Sequence, residues 1–92
     1  MYYQMSQSMM DEVDAMSTKE LCELLNIESN DSQTFTRMDI ITIGTNAMFE
    51  VTKLNHSNGL DTQESYDASC RPLYAAHTLC EEKHFNLPST ES

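Results

Sequence analysis

Apolar residues in the first part of the chain recur at helical spacing. Met5, Met9, Val13 and Met16 are separated by four, four and three positions, and Tyr2 extends the same stripe. Side chains three and four apart share one face of an α-helix. Asp11, Glu12 and Asp14 fall off that face, so the pattern predicts a first helix over 3–16. The stripe reads as a Met-lined core face, with an adaptable Met-rich binding surface as the sharper alternative. The phase breaks at Ser17-Thr18-Lys19-Glu20, an S-x-x-E sequence. In such a capping box the Ser hydroxyl accepts from an orphan helix N–H, and the Glu reaches back to the Ser N–H. Leu21, Leu24 and Leu25 then form a buried face with Cys22 at its edge, which predicts a second helix over 18–26.

The pattern changes in the middle of the chain. Residues 30–33 are turn-rich. Ile40, Ile41 and Ile43 form a nearly continuous apolar run within 37–43, and Gly44-Thr45-Asn46 links it to a second run over 47–54. There Phe49 and Val51 alternate with Glu50 and Thr52. Two β-branched runs joined by a short Gly-containing link predict an antiparallel β-hairpin, with the first strand the more buried.

Residues 55–61 read as a loop with Asn58-Gly59 as a tight turn, and Asp61-Thr62-Gln63-Glu64 offers another capping pattern. Tyr66, Cys70, Leu73, His77, Cys80, His84 and Leu87 then alternate by four and three, as a heptad seam does, predicting helix to about Phe85. Pro72 lies inside this stretch. Proline lacks the N–H and costs about 3 kcal/mol in a helix interior. The helix is therefore expected either to kink at Pro72 or to divide, with the main piece starting at Arg71-Pro72; the divided form is preferred. Residues 88–92 are expected to fray. The expected architecture is a single α+β domain over 1–92: two N-terminal helices, a central antiparallel β-hairpin and a C-terminal helix.

Charge changes the picture more than composition does. Fifteen Asp and Glu face five Lys and Arg among 92 residues, a net charge of −10. Residues 11–31 carry seven acids and one base, residues 32–60 two of each, and residues 61–92 six acids and two bases. The middle segment is thus neutral and its neighbours hold all of the net charge. A balance this acidic repels nucleic acid and anionic membranes and favours a basic partner surface. No stretch approaches the roughly 20 apolar residues of a membrane span. The N-terminus has neither the basic nor the apolar region of a secretory signal. Three cysteines do not make a disulfide framework, so reduced thiols in a cytosol are expected. The sequons at Asn30 and Asn55 are read as chance matches.

Catalytic chemistry has little to draw on. His77, Cys80 and His84 fall on one helical face, and imidazole and thiolate are good zinc donors. They are weak metal candidates, because the compact C-x2-C pair is missing and a fourth ligand would have to come from elsewhere. Cys80 and His84, one turn apart, are a weak nucleophile–base pair with no accompanying Gly-rich elbow or oxyanion motif. Adjacent carboxylates such as Asp11/Glu12 and Glu81/Glu82 point apart on a helix. Two glycines in the whole chain leave no phosphate-cradling loop. The expectation is a binding protein without a cofactor and not an enzyme.

In size, charge and lack of motif the chain is similar to small acidic inhibitors made by phages and mobile elements, which block host defence or DNA-processing enzymes. That similarity implies an anti-CRISPR or anti-restriction type of function in the host cytosol, with nucleic-acid mimicry as one route. Asp11, Glu12, Asp14, Glu20, Glu23 and Glu28 are the expected partner-binding residues, docking on a basic surface of a larger protein or ribonucleoprotein complex. The alternatives are a self-assembling or co-regulator module using the neutral hairpin or the Met stripe, and a small zinc module.

Overall fold

The computed structural model of the chain describes residues 3–27, 36–81 and 84. These residues hold four helices, α1 Gln7–Asp14, α2 Thr18–Leu24, α3 Arg37–Ser57 and α4 Gln63–Leu79, and no strand. The described chain is all-helical, and the expected α+β fold with a β-hairpin over 37–54 is overturned.

Each helix starts with the same device. A helix leaves its first N–H groups without internal partners, and a Ser or Thr hydroxyl at the N-cap accepts from one of them. Ser6 accepts from the Met9 N–H, Ser17 from Glu20, Thr36 from Asp39 and Thr62 from Ser65. The last three are full capping boxes, including the one expected at Ser17-Glu20. Two C-termini are equally specific. The Ile27 N–H reaches the Cys22 carbonyl at 2.8 Å and the Leu60 N–H reaches that of Asn55 at 2.8 Å. In each, the residue between cap and closure is left-handed: Asn26 at φ 60° and Gly59 at φ 69°. These are Schellman stops. The Asn58-Gly59 turn is therefore real, but it ends a helix of 21 residues.

α3 explains why the hairpin does not form. Ile40, Gly44, Ala47, Val51 and Asn55 lie four, three, four and four apart, and this stripe faces α4. Ile40 and Gly44 are buried and the other three half-buried. β-branched residues in a helix cost only tenths of a kcal/mol each relative to good helix formers. Burial of one amphipathic face outweighs that preference. Gly44 is not a turn residue: a Cβ placed on it would lie 2.5 Å from the Ala76 Cβ and 2.9 Å from the Pro72 carbonyl oxygen. Its missing side chain lets α3 and α4 touch backbone to backbone.

α4 is the axis of the fold, with α1, α2 and α3 all packed on it. The α3–α4 pair is antiparallel, since Arg37 Nη1 donates to the Cys80 carbonyl at 3.2 Å and Asn55 Nδ2 to that of Ser65 at 2.9 Å. α1 runs parallel to α4, tied at one end by Ser6 to Asp67 and at the other by Asp14 to Tyr74. The helix passes through Pro72 without dividing, and Pro72 itself is buried. Its ring removes the N–H that would serve the Ala68 carbonyl, but Ala68 is exposed and water can take that place. The buried face is Ser69, Pro72, Ala75, Ala76 and Leu79. That is one position out of phase with the expected seam: Cys70 and Leu73 are half-buried and His77 is exposed. α4 also stops at Leu79 rather than near Phe85, with Cys80 as its C-cap. The buried hydroxyls turn inward on the helix, Ser69 donating to the Tyr66 carbonyl at 2.7 Å and Thr78 to that of Tyr74 at 2.9 Å.

α1 begins later than expected, because residues 3–6 are non-helical and are tied to the start of α4. The Tyr3 hydroxyl donates to the Asp61 carbonyl at 2.7 Å, and its ring lies 5.9 Å from that of Tyr66. Gln63 Nε2 donates to the Gln4 carbonyl at 2.7 Å. The core joins Met9 and Val13 to Leu21, Cys22, Leu25, Ile27, Ile40, Ala75, Ala76, Leu79 and Cys80. The central residues of the Met stripe are thus core, while Met5 at its end is 36% exposed. The expected frayed tail over 88–92 lies outside the described residues, as do the turn-rich residues 30–33.

Candidate functional site

The expected partner-binding acids divide into two groups. Glu20 is exposed, but its carboxylate accepts the Ser17 N–H at 3.0 Å to close the capping box. The Ser17 backbone N–H first, and then its nearby hydroxyl, hold the Glu20 carboxyl below its ordinary pKa. Its first role is to start α2. Glu23 is exposed on the same helix. Glu28 lies outside the described residues. The α1 acids form the second group. Asp11 accepts from Gln7 Nε2 at 2.8 Å, and Glu12 lies 3.6 Å from Arg71 of α4. Both Glu12 and Arg71 are substantially exposed, so the pair contributes little to stability.

Asp14 has the most informative surroundings. The Tyr74 hydroxyl donates to its carboxylate at 3.0 and 3.1 Å. The Tyr74 pKa is raised by burial, then by the bond to Asp14, and then by the charges of Asp14, Glu81 and Asp11. Asp14 thus holds the phenol directly, and the charges of Glu81 and Asp11 add smaller effects. Linear reading placed Asp11 and Asp14 in one acidic block but missed Tyr74 as the partner of Asp14. Nothing in spacing pairs positions so far apart; the Asp14–Tyr74 bond depends on α1 lying parallel to α4 from Asp67 to Tyr74. Asp67 is a structural acid rather than a docking one. It accepts from the Ser6 N–H at 3.0 Å and the Ser6 hydroxyl at 2.7 Å. Those two bonds, with lesser help from Gln63 and Arg71, lower its pKa.

Of the weak metal and nucleophile candidates, His77 and Cys80 border one hollow with Arg37, Met38 and Ile41, while His84 turns to Thr18. His77 is exposed, Cys80 is buried, and His84 Nδ1 lies 2.7 Å from the Thr18 hydroxyl oxygen. Because α4 stops at Leu79, helical spacing no longer brings these three onto one face. No group of three or more His, Cys, Asp or Glu among the described residues is arranged to hold a metal ion. Burial raises the thiol pKa of Cys22 and of Cys80, with Arg37 only partly opposing the rise at Cys80. An activated thiolate needs the opposite environment.

An open hollow of about 440 Å³ lies where α3 ends and α4 begins, between Tyr3, Thr52, His56, Leu60 and Tyr66. Among the described residues no helix is long and apolar enough to cross a membrane. No protein-family model, curated protein or solved structure matches the chain.

Proposed function

We propose that the protein is a small acidic binding module that docks on a basic surface of a larger protein or ribonucleoprotein complex. The observation that supports this most is the exposed Tyr74–Asp14 hydrogen bond, 3.0 Å long, on the acidic α1 side of a chain of charge −10. Tyrosine amid carboxylates suits Lys and Arg: the acids steer the approach and the ring offers a face for a cation. In the finer form of the proposal the target is a nucleic-acid-handling defence complex, of the restriction or CRISPR type, and the protein inhibits it from the cytosol of the host.

The reading predicts rapid, salt-sensitive association. The direct experiment measures binding to, and inhibition of, restriction endonucleases and guide-RNA nuclease complexes at low and high salt. The triple variant Asp11→Asn, Asp14→Asn, Glu81→Gln should slow association by about tenfold and leave the melting temperature nearly unchanged. Affinity that ignores both salt and these substitutions would defeat the proposal.

A further inference from the structure

We propose that the outward face of α3 is a self-association surface, and that its occupant is a second copy of this chain. This inference stands apart from the acidic patch and uses a different side of the molecule. α3 turns Ile40, Gly44 and Val51 toward α4. On the outer side Met38, Thr42, Thr45 and Phe49, with Thr52 and His56 at the exposed rim of the hollow, recur at intervals of four and three, the spacing of a helix–helix seam. Met38 is 57% exposed and Phe49 60%. Half-buried Ile41 and Met48 widen the apolar strip along one flank. Among the described residues the substantial packing of α3 is against α4, so no helix covers this face.

Charge says what fits it. α3 carries Arg37 and Lys53 against Asp39 and Glu50 and is neutral, while the whole chain is −10. A second copy meets like charge at the acidic segments on either side of α3 and none at α3 itself. The flank is also self-complementary. In a two-fold antiparallel pair, Thr45 faces Phe49 of the second copy, Thr42 its Thr52 and Met38 its His56. Equal flanks then meet, and Asp39 and Lys53 occupy the same flank. Each Asp39 comes within two residues of direct opposition to Lys53 of the other copy, about 3 Å along the axis. Two such pairs form by symmetry, and neither adds net charge. A single helix face falls short of the roughly 800 Å² per partner of a standard interface, so the dimer is weak, with Kd on the order of 100 µM.

Sedimentation equilibrium of the full chain alone tests this, from about 10 µM to about 1 mM, at low and high salt. The expected result is a monomer–dimer equilibrium strengthened several-fold by salt, because screening relieves repulsion between two acidic chains. Docking on a basic partner would respond in the opposite sense, so the two proposals fail independently. Phe49→Glu should abolish the dimer, and Lys53→Glu should weaken it several-fold. Both should keep the parental circular dichroism spectrum, since both residues are exposed. A chain that stays monomeric at about 1 mM in either salt overturns the inference, whether or not another protein binds the face. So does a dimer that Phe49→Glu leaves intact.

Discussion

α3 and α4 are the two long helices of the fold, and their packing is opposite in kind. α4 touches every other helix, and its inner face is built of Ser69, Pro72, Ala75, Ala76 and Leu79. Apart from Leu79 these are small side chains or a ring with no polar end, and they let three helices approach one axis. Among the described residues α3 packs substantially on α4 alone and buries only Ile40 and Gly44 completely. Its large apolar residues, Met38, Phe49 and Leu54, stand outside. The inner face of the central helix is made mostly of small residues, and much of the exposed apolar bulk lies on the peripheral one. Close approach explains the first half of that contrast, because helix axes come together only where side chains are short.

The contrast breaks most visibly at the centre. Leu79 is fully buried, and Leu79→Ala should cost about 3 kcal/mol in urea denaturation. Phe49→Ala on α3 should stay within about 0.5 kcal/mol despite removing a larger side chain. Equal losses would mean that α3 is buried in a way its exposure does not show.

Gly44 sharpens the comparison where the two helices meet. Alanine favours a helix interior by about 1 kcal/mol over glycine. Here its Cβ would press on Ala76 and on the Pro72 carbonyl, neither of which can swing aside. Gly44→Ala should therefore destabilise by about 2 kcal/mol, and Gly44→Val by more. A stabilised Gly44→Ala variant would show that the helices separate easily.

The helix stops predict a smaller, two-signed effect. Gly59→Ala should cost about 1 kcal/mol through its left-handed backbone, since a Cβ there meets nothing within 4 Å. Asn26→Gly at the equivalent place after α2 should be neutral or stabilise by a few tenths of a kcal/mol. Thermal melts of the two variants read both signs.

Acid should loosen the α1–α4 side before the α3–α4 side. Asp67 and Glu20 both have lowered pKa values in the fold, through their bonds to Ser6 and Ser17. A depressed carboxyl contributes stability that is present above its unfolded pKa, about 4, and is lost as pH falls through the lower folded value. Stability should thus decline below about pH 4, and less steeply in Asp67→Asn. Hydrogen exchange at low pH should show α1 opening first, with α3 amides still protected. Simultaneous opening would contradict this division.

Much of the first two helices was legible in the linear pattern. The Met5–Met16 stripe located the α1 core residues Met9 and Val13, and Ser17-x-x-Glu20 located the start of α2. The same signal, Thr36-x-x-Asp39, opens α3 but was masked by the β-branched run that follows it. In the candidate site, Asp11 and Asp14 stood out as a charge block. Tyr74 did not, because no local pattern marks a residue whose partner is some sixty positions away.

Local sequence by itself set the start of α2 at Ser17, the stops at Asn26 and Gly59, and the distribution of charge. Each depends on residues within one or two turns: a hydroxyl three positions from an N–H, a left-handed Asn or Gly, a block of acids. Tertiary structure alone decided that 37–57 is helix, that α4 continues through Pro72, and which face of α4 is inside. Those outcomes rest on contact between helices. Gly44 fits Ala76 and Pro72 only as one helix against another, and burying that face outweighs both the β preference of isoleucine and threonine and the cost of an internal proline.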